Sequence, residues 1–188
     1  VRPERDELLP DVCDVARFTS QLSILKRWFN VLPLAEAVER AAQGDLPART
    51  VCITFDDGYL DNAQIALPLL QRYGLPATFF IATGYLGDGM MWNDKIIESV
   101  RARAAGEWDL SWLELGHREI SDWQSKRDLL GELIVHLKHQ SPEHRGQCAD
   151  RLYRDANIAH GRIMMTDEEV RTLSAEGMDI GGHTVSHP

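Results

Sequence analysis

The chain has 188 residues, a length suited to one domain, and its 44% hydrophobic and 26% charged content is that of an ordinary soluble globular protein. The net charge of −9 argues against a nucleic-acid-binding face, which needs clustered Lys and Arg to neutralise phosphates. Three distant cysteines, Cys13, Cys52 and Cys148, leave no closed disulfide framework and no Cys-x-x-Cys metal site, and no apolar stretch is long enough to span a bilayer.

In chain order, Phe18, Leu22, Leu25 and Phe29 recur at helical spacing, and a second helix over 34–42 is stopped by Gly44. Residues 50–55 (Thr-Val-Cys-Ile-Thr-Phe) are short, β-branched and apolar on both faces, the pattern of a buried parallel strand. A helix over 61–73 closes at Gly74, and a second buried strand follows over 77–82. Strand, helix and strand at this spacing predict a βαβ unit.

From about 88 to 160 the pattern is helical: one helix opening near Asn93 as N-cap, then two more over 122–139 and 142–156. No strand-like run is legible there, so the stretch reads as a helical insertion within a single domain over 1–188. The βα rhythm resumes with a capping box, Thr166 and Glu169, and a helix running to Gly177. A short strand over 178–182 leads into His183-Thr-Val-Ser-His187-Pro188.

Two features carry chemistry. Asp56 and Asp57 follow a buried strand, and functional groups of parallel α/β folds collect at the C-terminal ends of strands. Adjacent carboxylates repel, and a divalent cation resolves that conflict by binding one and leaving the other free as a base. A solvated Asp-Gly turn accounts for the same residues, and from this stretch alone the two readings are balanced. The second feature is His183-x-x-x-His187, whose imidazoles can share a helical face or converge from a tight loop. Position 184 is Thr, so this is not the H-E-x-x-H of zincin proteases, and the base must come from Asp56 or Asp57. One Asp and two His form a carboxylate-containing three-ligand set of the kind found in catalytic zinc sites.

Thr54-Phe-Asp-Asp-Gly-Tyr59 resembles the first motif of the polysaccharide deacetylases (carbohydrate esterase family four, the chitin-oligosaccharide deacetylase homologues), and His183-Thr-Val-Ser-His-Pro188 resembles their second. Leu75-Pro-Ala-Thr-Phe-Phe80 is similar to the family's second strand. The resemblance covers about residues 31–87 and 163–188. It implies an α/β fold, a partial, irregular (β/α) barrel with a helical insertion at about 88–160. It also implies hydrolysis of N-acetyl or O-acetyl groups on an acetylated polysaccharide or oligosaccharide. By the same resemblance Asp57, His183 and His187 are metal ligands, Asp56 is the base that activates a metal-bound water, and Thr184 holds the histidine loop. The ligand types favour Zn2+, and Co2+ or Ni2+ would accept the same set.

Tyr59 and Asn62 follow the Asp pair and are expected near substrate. Of Trp92, Trp108, Trp112 and Trp123, helical spacing assigns most to core packing and leaves Trp92 as a candidate sugar contact. Family members also carry later motifs, including a Leu-x-His whose His is the general acid. None of His117, His136, His139, His144 or His160 lies in such a motif. The expectation is a piece of a longer protein that releases little acetate on its own. The family mostly acts on envelope or secreted polysaccharides, although no signal peptide is legible. Two other readings keep the metal: an amidase for a small substrate, and a non-catalytic carbohydrate-binding or assembly module.

Overall fold

The computed structural model describes residues 1–158 and 161–187, so His160 and Pro188 lie outside the described residues. The chain divides into two compact units, one of residues Val1–Asp6, Asp11–Gly89 and Arg162–Pro188, the other of Glu7–Pro10 and Met90–Gly161. Both mix or alternate helices and strands, and the fold is mixed α/β.

The first unit begins with α1 (Val15–Trp28), started by the Asp14 carboxylate, which accepts from the Arg17 N–H at 2.7 Å. Lys26 and Arg27 in its last turn complement the helix dipole, and Phe18 and Leu22 on one face are buried. After β1 (Asn30–Val31), α2 (Leu34–Gln43) ends at Gly44, whose φ of 76° is left-handed.

The run expected as one strand over 50–55 is two. β2 (Thr50–Val51) pairs in parallel with β1, whereas β3 (Thr54–Phe55) pairs in parallel with β4 (Thr78–Ile81). Nor is the run buried as its hydrophobicity suggested: Val51, Cys52, Ile53 and Phe55 are half-buried and Thr54 is exposed, because β3 is an edge strand, and hydrophobicity does not show that the run changes neighbour at Cys52 and Ile53. The crossover from β3 to β4 is a π-helical turn, Asn62–Ala66, followed by α3 (Leu67–Tyr73) and the left-handed Gly74. Late in the chain, α7 (Asp167–Ala175) starts with the expected Thr166–Glu169 capping box and leads to β7 (Asp179–Gly182).

The order β3-β4-β7 makes one parallel sheet, with Phe55 opposite Phe79 and Phe79 opposite Ile180. Phe55 and Phe79 stack at 4.7 Å, and Phe18 meets Phe55 edge-on at 5.9 Å. Leu22, Leu70, Phe79, Met165 and Leu173 close this core. Gly181 is there because a Cβ would lie 2.6 Å from the Phe80 ring. Among the described residues the strands form sheets of two, three and two, with no closed barrel.

The second unit contains α4 (Trp92–Ala102), α5 (Trp123–Lys138) and α6 (Pro142–Ala156). It is not helical throughout: β5 (Gly106–Asp109) and β6 (His117–Ile120) form an antiparallel pair that the helical reading of 88–160 did not include. Each strand sends a single large apolar side chain inward, Trp108 and Ile120, too few to display a period of two. Helix α4 starts two residues earlier than expected, with Met91 rather than Asn93 at the cap. Leu8, 1% exposed, joins Ile96, Leu110, Leu133 and Leu152 in this unit's core.

Candidate metal centre

Three strands of one parallel sheet end side by side, and each end delivers part of a single cluster. β3 runs into Asp56-Asp57, β4 into residues 82–85, and β7 into His183. Parallel pairing puts all three C-termini on the same edge, which is why residues more than a hundred positions apart meet.

Asp57 sits in a turn at φ 77°, left-handed for a residue with a Cβ, and Gly58 follows at φ 92°. Asp is among the few residues that enter this region readily. The Gly58 N–H donates to the Asp56 carbonyl at 3.0 Å, and the Ala82 N–H donates to the Asp57 carbonyl at 3.1 Å. On the other side Tyr59 forms an antiparallel bridge with Met164; the Leu60 N–H donates to Ile163 O and the Met165 N–H to Gly58 O. Arg162 fastens that second segment, binding both Glu169 oxygens and the Met164 carbonyl. The Arg162 guanidinium holds the Glu169 carboxyl below the usual glutamate range.

His183 and His187 come from a loop, the second of the two geometries the spacing allowed. The His183 N–H donates to Ile81 O at 2.8 Å. Thr184 lies at φ 63° and His187 at φ 46°, and the Thr184 hydroxyl accepts from the His187 N–H at 3.0 Å. A β-branched residue in this region is an outlier, so the loop stores backbone strain.

The side chains converge. His183 Nε2 and His187 Nε2 each lie 3.4 Å from Asp57 Oδ1, and the three donor atoms are all within 4.8 Å of one another. Asp57 Oδ1 is buried and has no hydrogen-bond partner. A tetrahedral ion with bonds of roughly 2.0–2.1 Å spans neighbouring ligands about 3.3 Å apart. The orphaned oxygen and its two nitrogen neighbours therefore fit a divalent cation. Among the described residues this is the one group of His, Cys, Asp and Glu so arranged. Asp56 is exposed beside it.

Tyr59 is half-buried directly after the aspartate turn, whereas Asn62 is 4% exposed within the π-helical turn. Trp92 lies in the second unit, half-buried against that unit's core, with the Arg145 guanidinium 4.6 Å from its ring centroid. Trp108 is buried, as core packing required, but Trp123 is 39% exposed. Sequence reasoning missed the part played by residues 82–85, which hold both ligand-bearing turns. Gly84 was visible only as a strand end.

Residues 43–126 match the family model for polysaccharide deacetylase. That match reaches into the stretch that the motif resemblance left aside and stops before the histidine loop. The chain is similar to the poly-β-1,6-N-acetyl-D-glucosamine N-deacetylase of Staphylococcus aureus strain MRSA252, 38% identical over 170 residues, which cover 88% of this chain and 59% of the relative. The same enzyme from strain N315 matches equally, at 38% over 170 residues. The chain thus spans about three fifths of the length of these curated relatives. Among solved structures, Streptococcus pyogenes deacetylase PplD in complex with acetate shares the fold, at TM-score 0.50 and 18% identity over 93% of this chain and 47% of that one.

Proposed function

The chain belongs to the polysaccharide deacetylase family, and from that premise we propose that the protein it represents is a metal-dependent hydrolase that removes N-acetyl groups from a polysaccharide. The substrate class proposed is a β-1,6-linked poly-N-acetylglucosamine, by similarity to the staphylococcal enzymes. The observation that carries the reading is Asp57 Oδ1, buried, without a hydrogen-bond partner, and 3.4 Å from each of two imidazole nitrogens.

In this reading Asp57, His183 and His187 hold a divalent cation, zinc before cobalt or nickel by ligand type. When bound, such an ion supplies Lewis-acid polarisation of the amide carbonyl and lowers the pKa of water. The chain's own residues do the rest. Asp56, exposed and one residue from the ligand, stays outside the ligand set and takes the proton of the attacking water. Tyr59 borders the sugar. Trp92 is kept as a sugar contact, to be tested by Trp92→Ala with KM as the readout.

For the whole protein the fold proposed is an irregular (β/α) barrel over one deacetylase domain, with the second unit as its insertion. An apolar groove of about 760 Å³ beside β2 and the edge strand β3 supports this, since an exposed apolar strand edge calls for cover.

The test measures metal content of the purified chain together with acetate released from N-acetylglucosamine oligomers by the full-length gene product, before and after chelation. Bound zinc with chelator-sensitive acetate release is expected. Zinc with no acetate release would favour a non-catalytic carbohydrate-binding module, and turnover of small amides alone would favour an amidase.

A further inference from the structure

One short segment touches both halves of the ligand set. At the end of β4, the Ile81 carbonyl accepts from the His183 N–H at 2.8 Å and the Ala82 N–H donates to the Asp57 carbonyl at 3.1 Å. The next two amides, of Thr83 and Gly84, donate to the carbonyls of Thr184 at 3.2 Å and Val185 at 2.9 Å. The Tyr85 hydroxyl then donates to the Ser186 carbonyl at 2.8 Å. Successive residues 81–85 thus bind Asp57 and then every loop residue from His183 to Ser186.

The approach is close. A Cβ on Gly84 would lie 2.4 Å from the Val185 carbonyl oxygen, closer than a side chain permits. The loop so held is strained at Thr184 and His187 and has no regular secondary structure of its own. Its last peptide unit is gripped at both ends: the Ser186 carbonyl by the Tyr85 hydroxyl, and the His187 N–H by Thr184 Oγ1. Holding that peptide plane fixes the direction in which the His187 side chain leaves the backbone.

We infer that residues 82–85 are a clasp that sets the distance between the aspartate turn and the histidine loop, and that Tyr85 is a positioning residue for metal affinity through its bond to Ser186. This rests on the metal reading above. Tyr85 touches no ligand atom; its effect passes through the backbone of His187, as outer groups commonly act on metal ligands.

Tyr85→Phe removes one hydroxyl and leaves the ring. Three measurements on the variant and the parent protein decide: the zinc dissociation constant by chelator competition, the visible spectrum of the cobalt-loaded protein, and the melting temperature without metal. The expected result is zinc binding weaker by about fivefold, the worth of one net hydrogen bond, with an altered cobalt spectrum and an unchanged metal-free melting temperature. Unchanged zinc affinity overturns the clasp and leaves the metal reading standing. So does weaker binding with a preserved cobalt spectrum and a lowered melting temperature, which marks a merely structural role. Failure of the parent protein itself to bind zinc overturns the metal reading and the clasp with it.

Discussion

Both units pair charged side chains locally, but among the described residues the strand-bearing unit alone also gathers a metal-ligand cluster, which the helix-and-hairpin unit lacks. In the second unit several charged side chains are paired locally. Arg118 binds both oxygens of Glu132 at 2.8 and 2.5 Å, Lys95 reaches Asp150 at 2.5 Å, and Asp122 caps α5. Arginines lie over the rings of Trp92, Trp108 and Trp112. In the first unit a carboxylate and two imidazoles converge on one another, with Asp57 and His187 on backbone at positive φ. Strain and an unpaired buried oxygen oppose folding, and they persist where a bound ligand offsets them. The contrast teaches that the site is recognised by three ligand types converging on one unpartnered oxygen, since Asn93 Oδ1 and Arg145 Nε in the second unit are also buried without a hydrogen-bond partner.

The sharpest way to break this contrast is to remove a converging ligand. Asp57→Ala or His187→Ala should lower bound zinc from about one per chain to background by metal analysis. A His187→Ala protein that keeps its zinc would dissolve the distinction between the units. Next in size, Asp56→Asn in the full-length protein should keep the zinc and slow acetate release by about 10²–10⁴-fold, the usual worth of a general base.

In the second unit the expected effects fall on stability alone. Leu133, fully buried, should cost about 2–5 kcal/mol when changed to Ala, measured by denaturant unfolding, with zinc stoichiometry unchanged below the transition. Loss of zinc in Leu133→Ala would show that the division of labour is wrong.

The smallest effect is one the two units share. Arg162 beside Glu169 and Arg118 beside Glu132 each hold a carboxyl below its ordinary value. A depressed folded pKa contributes stability that is full above the unfolded value and is lost as pH falls through the folded one. Glu169→Gln and Glu132→Gln should therefore each flatten the decline of melting temperature on acidification. A variant as steep as the parent would remove that pair from the account.

Much of the site was legible because its atoms are named by residue type and position. Asp56 and Asp57 after one strand, and His183 and His187 after another, were legible as candidates from the rule that parallel strands present function at their C-terminal ends, whereas assigning Asp57 and not Asp56 to the ligand set came from the family resemblance. Gly44 and Gly74 as helix stops, and the Thr166–Glu169 capping box, were legible because caps are local. The hairpin of β5 and β6 was not, since each strand is four residues long and its pairing is a contact between separated segments. Nor was the division of residues 50–55 between two sheets, which depends on which neighbour each half meets.

The sequence by itself supplied the candidate ligand types, the parallel βαβ order and several helix caps, all of which follow from residue identity and short-range geometry. Only the tertiary structure decided that Asp57 Oδ1 is buried between two imidazoles, that the histidines come from a strained loop rather than a helix, and that residues 82–85 tie that loop to the aspartate turn. Those are relations of distance and burial between strand ends far apart in the chain, and no local propensity encodes them.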